Sequence, residues 1–332
     1  MTVFKSYLRA LIGSFFLFFS AIPSDAKELS LAFPFGTKNI VYQAVILPFE
    51  NAVKEQSKGE LAIKTFPGGA LNSDVRMQYS ILTQGVADIA YVLPGHTGDL
   101  FPITSAISLP NFAKSAVDGT NKLWNAKALI GAEFKGKILA LWSGPTSVLV
   151  TRDQPVRSLQ DVQGMKVRVA SPQEAVFVES YGASPIAQPA ILASQNLANG
   201  VIDAISIGAG AIPIFHLEES AKYVTVGTPS STAAFVLLMN QSAFDDLTPQ
   251  QQDWIVAASG KALSLKAAEA FDEINARAID YVTDKGLEVI YLPPAEAARY
   301  DAAMNGAVEA FLDRHLGNGV TGRDVIATMR GD

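Results

Sequence analysis

The sequence contains no cysteine in its 332 residues. Without cysteine there can be no disulfide, no thiolate metal site, no cysteine nucleophile and no lipid-modified N-terminal cysteine. Histidine is nearly as scarce, because the three histidines lie far apart and have no acidic or histidine partner at metal-ligand spacing. The HExxH, GxSxG and P-loop motifs are missing as well. These absences argue against a hydrolase or an isomerase, and we expect a protein that is not an enzyme and holds no cofactor or metal.

Positive charge is also limited. Lysine and arginine number 26 against 32 aspartates and glutamates, which gives a net charge of −6, and no stretch concentrates the basic residues. A nucleic-acid-binding protein needs a basic face, so we expect no nucleic-acid partner. The segment Gly208-Ala209-Gly210 imitates the start of a dinucleotide-binding fingerprint, but Pro213 stands where the third glycine belongs. We therefore expect this segment to be a loop that lines a cleft.

Long hydrophobic runs are missing after the N-terminus. The first residues carry positive charge without acid, 10–22 is a short uncharged run, and small residues stand at Ser24 and Ala26. This pattern is typical of a cleavable signal peptide over 1–26, since the run is shorter than the ~20 apolar residues that span a bilayer. The most apolar later segment, 201–217, is interrupted by an aspartate, two glycines and a proline. We therefore expect the mature protein to be soluble and exported.

What the sequence does contain is a repeated alternation of strand and helix patterns, with 49% hydrophobic residues. Nearly continuous apolar strands such as 87–92 fit a parallel sheet that helices cover on both faces. Caps, glycines and prolines set the ends of the other elements. The pattern predicts strands at 28–34, 60–66, 87–92, 137–142, 148–152, 165–169, 203–207, 232–240 and 287–292, and helices at 40–57, 73–84, 171–181, 189–199, 248–285, 294–315 and 321–330.

The length and the repeated alternation predict an α/β protein with two lobes. We assign 27–145 plus 234–272 to lobe I, and 146–233 plus 273–332 to lobe II. The strand at 232–240 would return the chain to lobe I. The helix that starts at Thr248-Pro249 meets no stop signal before Lys285-Gly286, so it would be about 55 Å long and would span both lobes.

Arg168 is the one charged residue that the pattern places unusually, inside the strand MKVRV at 165–169. Alternation puts it on the face opposite Val167 and Val169. A guanidinium at the end of a sheet is suited to hold a carboxylate through two parallel hydrogen bonds. The alternative, that Arg168 pairs with a neighbouring acid or extends to solvent, stays open on these residues alone.

Aromatic side chains and a histidine follow two of the predicted strands. Phe35 comes directly after the first strand. Tyr91 lies near the end of the third strand, and His96 lies in the segment after it. Open α/β sheets bind ligands at the carboxyl ends of their strands, so these side chains are candidates to line an apolar pocket. Burial in the local core is the alternative for each aromatic residue taken alone.

Four stretches carry a resemblance to a known family: FPGGALNSDVRMQYSILTQGVADIAYVLPG, TRDQPVRSLQDVQGMKVRV, YGASPIAQPAILASQNLANGVIDA and EESAKYVTV. Together they resemble the solute-binding subunits of tripartite ATP-independent periplasmic (TRAP) transporters, the DctP-like family. The similarity runs in order from about Leu29 to beyond Asp246. It implies a periplasmic binding protein of type II-like architecture, with hinge strands and a long helix that join the lobes.

The resemblance also implies a small organic acid as ligand, held by the arginine of the family's GxKxRV strand, which is Arg168 here. The second arginine or polar residue of the family falls near Thr146 or Ser147, and the family's Asn-Pro is replaced by Ile207-Gly208. Fewer fixed charges and amides then line the cleft, which favours a monocarboxylate with an apolar or aromatic body over a sialic acid or a dicarboxylate. The expected ligand-binding residues are Phe35, Tyr91, His96, Ser147, Arg168, Ile207 and Gly208.

The implied mechanism is capture by domain closure, in which the ligand stabilises the closed state. The loaded protein, expected to be a monomer, would then dock on the small and the large integral membrane subunits of a TRAP transporter. An alternative is that the same module passes its ligand signal to a membrane sensor kinase. The sequence alone does not separate transport from sensing.

Overall fold

The computed structural model describes residues 27–332, so the predicted signal peptide lies outside the described residues. In this part of the chain the strands are β1 (Lys27–Ala32), β2 (Leu61–Phe66), β3 (Ile89–Val92), β4 (Gly136–Ser143), β5 (Ser147–Thr151), β6 (Lys166–Val169), β7 (Ser184–Ala187), β8 (Ala204–Gly208), β9 (Tyr223–Val226), β10 (Ala234–Asn240), β11 (Glu288–Tyr291), β12 (His315–Gly317) and β13 (Val320–Thr321).

The α-helices of the same residues are α1 (Leu47–Gln56), α2 (Gln78–Thr83), α3 (Pro102–Ser105), α4 (Ala116–Asn125), α5 (Lys127–Gly131), α6 (Pro172–Ser180), α7 (Ala193–Ala198), α8 (Ala211–Ile214), α9 (Gln241–Asp245), α10 (Pro249–Ala257), α11 (Lys261–Asp284), α12 (Pro294–Asp313) and α13 (Gly322–Arg330). A π-helical segment, Tyr42–Ile46, runs directly into α1.

Two sheets form the centres of two lobes, as the repeated strand and helix pattern predicts. The first sheet has the strand order β2-β1-β3-β10-β4, and the second has the order β11-β9-β5-β8-β6-β7. β1, β2 and β3 run parallel, whereas β10 is antiparallel to both β3 and β4. All four residues of β3 are buried, which is the expected burial for a parallel strand covered on both faces.

The chain crosses between the sheets at three main places. The first crossing is the short segment 144–146 between β4 and β5, and the second is 227–233 between β9 and β10. The third is helix α11, which packs on β4 of the first sheet and on β11 of the second. Both sheets therefore share a hinge region of two strand crossings and one long helix.

The single helix predicted from Thr248 to Lys285 is wrong in one respect. The structure divides it into α10 and α11 at Gly260, whose φ of 96° is outside the helical region. Glycine adopts such a φ without the steric cost that a side chain would add, so Ser259-Gly260 stops the first helix. The remaining α11 has 24 residues and still contacts both lobes.

The C-terminal helix makes a further return to the first sheet. The sequence-based division places α13 in lobe II, but α13 packs against α4, which itself packs on β4. Asn125 Nδ2 donates a hydrogen bond of 3.1 Å to Met329 O. Helix α12 packs against both α13 and α6.

No helix within residues 27–332 is both long and apolar enough to cross a membrane.

Candidate ligand-binding site

A cavity of about 210 Å³ lies between the two sheets. The first sheet contributes the segments that follow β1 and β3, and the second contributes β6, the start of α6 and the end of β8. The crossing segments 144–147 and 231–235 close its hinge side. The structure brings all seven sequence-predicted site residues to the wall of this one cavity: Phe35, Tyr91, His96, Ser147, Arg168, Ile207 and Gly208.

Stacked aromatic rings form the wall on the side of the first sheet. The rings of Tyr91 and Phe235 are nearly parallel, at 8°, with centroids 6.1 Å apart. Trp142 stacks on both of them, at 5.9 and 5.7 Å. Phe35 meets Tyr91 edge to face at 6.2 Å. Phe35 lies in the segment after β1, whereas the three stacked rings belong to β3, β10 and β4, which are consecutive in the sheet, so the stack follows from the strand order.

Arg168 is the charged centre of the opposite wall. It lies in β6 between β7 and β8, and only 2% of its surface is exposed. Its Nε donates to Gln188 O at 2.9 Å, and its Nη1 donates to Ser206 O at 3.3 Å. Nη2 has no hydrogen-bond acceptor among residues 27–332, and Arg168 is the only lysine or arginine of the described residues that lines the cavity.

Burial lowers the pKa of Arg168 to about 10, while the nearby Glu174 carboxylate acts in the opposite direction. The guanidinium stays protonated at neutral pH, so the lowered pKa reports a charge that has lost much of its solvation. A cation in this position is stabilised by an anion that enters the cavity. The arrangement is suited to binding an anionic ligand.

Glu174 lies beside Arg168 on the same wall. It is 5% exposed, and both of its oxygens accept hydrogen bonds: Oε2 from Ala170 N at 2.7 Å and Oε1 from Ser206 Oγ at 2.6 Å. Burial raises the pKa of this carboxyl, whereas the two hydrogen bonds and the charge of Arg168 lower it. Glu174 forms no direct ion pair with Arg168 within the described part of the chain. The Nη2 edge of the Arg168 guanidinium is therefore available to donate a hydrogen bond to a molecule in the cavity.

His96 approaches this wall from the first lobe. Burial and, to a smaller extent, the charge of Arg168 lower its pKa to about 4, so its imidazole is neutral at neutral pH. The adjacent Gly95 lies so close to the second lobe that an added Cβ would be 3.2 Å from Ser171 Cβ. The loop after β3 thus closes over the cavity and touches the start of α6.

The remaining predicted residues lie at the hinge. Ser147 Oγ accepts a hydrogen bond of 3.0 Å from Ser231 N, which ties the first strand crossing to the second. Ile207 and Gly208 end β8 and pair with Val148 and Ser147 of β5. A Cβ at Gly208 would be 2.7 Å from Pro145 Cγ, so glycine is required where the first crossing passes β8.

A comparison with protein-family models matches residues 34–314 to the DctP model, described as bacterial extracellular solute-binding protein, family 7. The match covers most of the chain and includes both walls of the cavity. The chain belongs to this family of solute-binding proteins. Members of this family are solute-binding transport proteins and not enzymes. Solute-binding proteins of this kind bind small organic acids and work with membrane subunits.

Curated relatives of this solute-binding protein agree with the assignment. A solute-binding protein of Albidiferax ferrireducens is 26% identical over 271 residues, which cover 77% of this chain and 78% of the relative. The 2,3-diketo-L-gulonate-binding periplasmic protein YiaO of Escherichia coli is 24% identical over 276 residues, covering 80% and 82%.

Solved structures share the two-lobed fold. A TRAP solute-binding protein from Rhodoferax ferrireducens T118, in complex with copurified benzoate, has a TM-score of 0.84 at 22% identity and covers 92% of this chain and 96% of its own. A marine metagenome TRAP solute-binding protein specific for aromatic acid ligands, with bound metahydroxyphenylacetate, has a TM-score of 0.82 at 24% identity, covering 92% and 98%.

The cavity residues that sequence reasoning about this solute-binding protein missed include Glu174, Ser206 and Phe235. Glu174 stands three residues after Ser171, a spacing that reads as a local helix cap and so conceals any other role. Ser206 and Phe235 lie inside strand patterns that predict only sheet and core. A polar residue in an otherwise apolar strand was the available signal for Ser206.

Proposed function

We propose that this solute-binding protein captures a small monocarboxylate with an aromatic or apolar body and delivers it to the membrane subunits of a TRAP transporter. Capture takes place in the periplasm, after the signal peptide at 1–26 is removed, and occurs by closure of the two lobes. The ligand carboxylate meets Arg168, and the body of the ligand lies against the aromatic rings of the first sheet.

The observation that carries this proposal is the unpaired edge of a buried guanidinium. Arg168 is 2% exposed and donates to two backbone carbonyls, yet Nη2 lacks an acceptor within residues 27–332. Nη2 belongs to a poorly solvated cation, and a carboxylate that accepts a charge-assisted hydrogen bond from it is stabilised there. The pairing is stronger at this poorly solvated position than it would be in bulk water.

The size and the lining of the cavity favour a ligand with an aromatic or apolar body. An apolar cavity of ~150 Å³ accepts benzene. The cavity here is about 210 Å³, so a benzene-sized ring with a carboxylate is within its capacity. Phe35, Tyr91 and Phe235 supply flat apolar faces, against which aromatic rings pack favourably. The rings of Phe35 and Phe235 offer no hydrogen-bond partner to the hydroxyl groups of a sugar acid.

Two solved relatives bind ligands of the proposed kind, benzoate and metahydroxyphenylacetate, and a third, from Bordetella bronchiseptica, binds mandelate. Another relative, from Sulfitobacter, binds galacturonate. The fold alone therefore accommodates both classes of acid, and the choice for this chain rests on its own cavity wall.

The proposed closure of the two lobes is supported by the fact that each lobe contributes a different wall of the cavity. The charged wall belongs to the second sheet and the aromatic wall to the first, so only the closed arrangement presents both to one ligand. A ligand that contacts both walls shifts the population toward the closed state. The two strand crossings and α11 are the segments that must bend.

The proposal is tested by titration calorimetry of the chain from Lys27 onward with benzoate, 3-hydroxybenzoate, mandelate and galacturonate. We expect at least one of the three aromatic monocarboxylates to bind more tightly than galacturonate, with a rise in melting temperature on binding. Binding of galacturonate alone would overturn the assignment to aromatic acids. Binding of none of the four acids would contradict the proposed ligand class altogether.

A further inference from the structure

The wall that holds Arg168 also holds a second charge, which binding of a carboxylate does not need. Glu174 is the third residue of α6, and its backbone N–H donates to the Ser171 side chain at 3.1 Å. Its own carboxylate turns back past the helix start and accepts from Ala170 N on one oxygen. The other oxygen accepts from Ser206 Oγ on β8, so Glu174 connects the helix start to the strand beside Arg168.

Helix capping alone does not account for this residue. The carboxylate that caps α13, Asp324, is exposed. Glu174 is 5% exposed and lies on the cavity wall. Burying a carboxylate is unfavourable and raises its pKa, and the hydrogen bonds from Ser206 and Ala170 and, to a smaller extent, the charge of Arg168 act against that rise. The carboxylate therefore belongs to the electrostatics of the cavity.

The charges of the cavity wall balance before any ligand enters. Within residues 27–332 the wall has one basic residue, Arg168, and one acidic residue, Glu174, while His96 is neutral at neutral pH. A bound monocarboxylate then leaves one excess negative charge, shared by two carboxylates around one guanidinium. A second carboxylate on the ligand meets no cation and adds repulsion from Glu174 in a poorly solvated space.

We propose that Glu174 is a specificity-determining residue of this binding protein, which excludes acids with a second anionic group while admitting monocarboxylates. The inference rests on the proposed function, because it takes Arg168 as the carboxylate-binding group. Specificity of this kind arises from an unfavourable interaction with the wrong ligand. The Glu174 charge weakens binding of every anion and weakens binding of a dianion most.

The test compares two ligands of nearly equal shape and different charge, terephthalate and 4-nitrobenzoate, with benzoate as the reference. Affinities are measured by calorimetry at pH 7 for the wild type and for Glu174→Gln, which keeps an oxygen for Ala170 N and removes the charge. The matched control is Glu133→Gln. Glu133 is also a partly buried carboxylate that accepts hydrogen bonds at a helix start, from Ile103 N and Thr104 N, but it lies outside the cavity.

We expect the wild type to bind 4-nitrobenzoate more tightly than terephthalate, and Glu174→Gln to reduce that ratio of affinities at least about tenfold. Glu133→Gln should keep the wild-type ratio. Equal ratios in the wild type and Glu174→Gln would overturn the inference while benzoate binding upholds the proposed function. Failure of all three ligands to bind any of the proteins would overturn the proposed function and this inference with it.

Melting temperatures of the unliganded variants show whether each is folded. Should Glu174→Gln not fold, Glu174→Met, which keeps the length of the side chain without its charge, takes its place. The same loss of discrimination is expected for Glu174→Met, and an unchanged ratio in that variant also overturns the inference.

Discussion

The two lobes give the cavity unlike walls. The wall on the first sheet consists of stacked rings that include Tyr91 and Phe235. Among the described residues that form this wall, none has a charged side chain. The wall on the second sheet holds Arg168 and Glu174, which are both almost fully buried. One lobe thus provides the charge that fixes the acid group, and the other provides the surface that selects the body of the ligand. Neither lobe alone has both, so recognition depends on closure.

The largest effect should follow removal of the charge from the second wall. Arg168→Ala is expected to weaken benzoate binding by about 2–5 kcal/mol, the range for loss of one partner of a buried charge pair. The unliganded protein should stay folded but melt at a lower temperature, because the variant loses two hydrogen bonds to backbone carbonyls and leaves the buried Glu174 without its nearby cation. Titration calorimetry measures the affinity for benzoate, and calorimetric unfolding measures the melting temperature. Unchanged affinity would remove Arg168 from the account.

Acidification tests the one titratable group of the loop after β3 that faces the charged wall. The pKa of His96 is lowered to about 4 from an ordinary value near 6.5, so the folded protein binds this proton less readily than the unfolded chain does. Stability is therefore lost as the pH falls from 6.5 toward 4. The expected loss from this group between pH 7 and pH 5 is about 2 kcal/mol.

The measurement is denaturant unfolding of the unliganded protein at both pH values, for the wild type and for His96→Gln. Only the difference between the two proteins is assigned to His96, because burial raises the pKa of Glu174 and acts in the opposite direction. Equal pH dependence in the two proteins would show that His96 does not carry the effect.

Shortening the aromatic wall should have a smaller effect. Phe235→Ala removes a ring that is half-buried and stacks on Tyr91 and Trp142. We expect benzoate binding to weaken by about 1–2 kcal/mol through lost apolar contact. Acetate, which has no ring, should bind equally to both proteins if it binds measurably. A similar loss for acetate and benzoate would mean that the wall does not contact the ligand body.

The smallest effect should distinguish ligands that differ by one hydroxyl. The Tyr91 hydroxyl has no hydrogen-bond partner within residues 27–332, although Tyr91 is 2% exposed and lines the cavity. Tyr91→Phe should leave benzoate binding unchanged and weaken 3-hydroxybenzoate binding by about 1 kcal/mol if the two hydroxyls meet. Calorimetry with both ligands on both proteins checks this, and equal changes for the two ligands would exclude such a contact.

Much of the architecture was predictable from the sequence because it depends on local patterns. Apolar strands such as β3, helix starts such as Ser171-Pro172 and the switch between lobes near 144–147 are all visible in the order of residues. The break at Gly260 was missed because a single glycine in a long helical pattern is usually tolerated. The structure shows that its φ of 96° ends one helix and starts another.

The cavity was only partly predictable, since it is assembled from residues far apart in the chain. Arg168 was recognisable because a charge inside an apolar strand is unusual, and Phe35 and Tyr91 because they follow strands. Glu174 and Phe235 had ordinary local explanations as a cap and a core residue. Only the pairing of β6 with β8 and of β10 with β3 brings them to the cavity.

The most direct measurement is a crystal structure of the protein with bound benzoate. We expect the benzoate carboxylate to lie within about 3 Å of Arg168 Nη2 and the benzoate ring to lie against Tyr91 and Phe235. A carboxylate bound outside the reach of Arg168, or a ring that lies on the second lobe, would contradict this expectation.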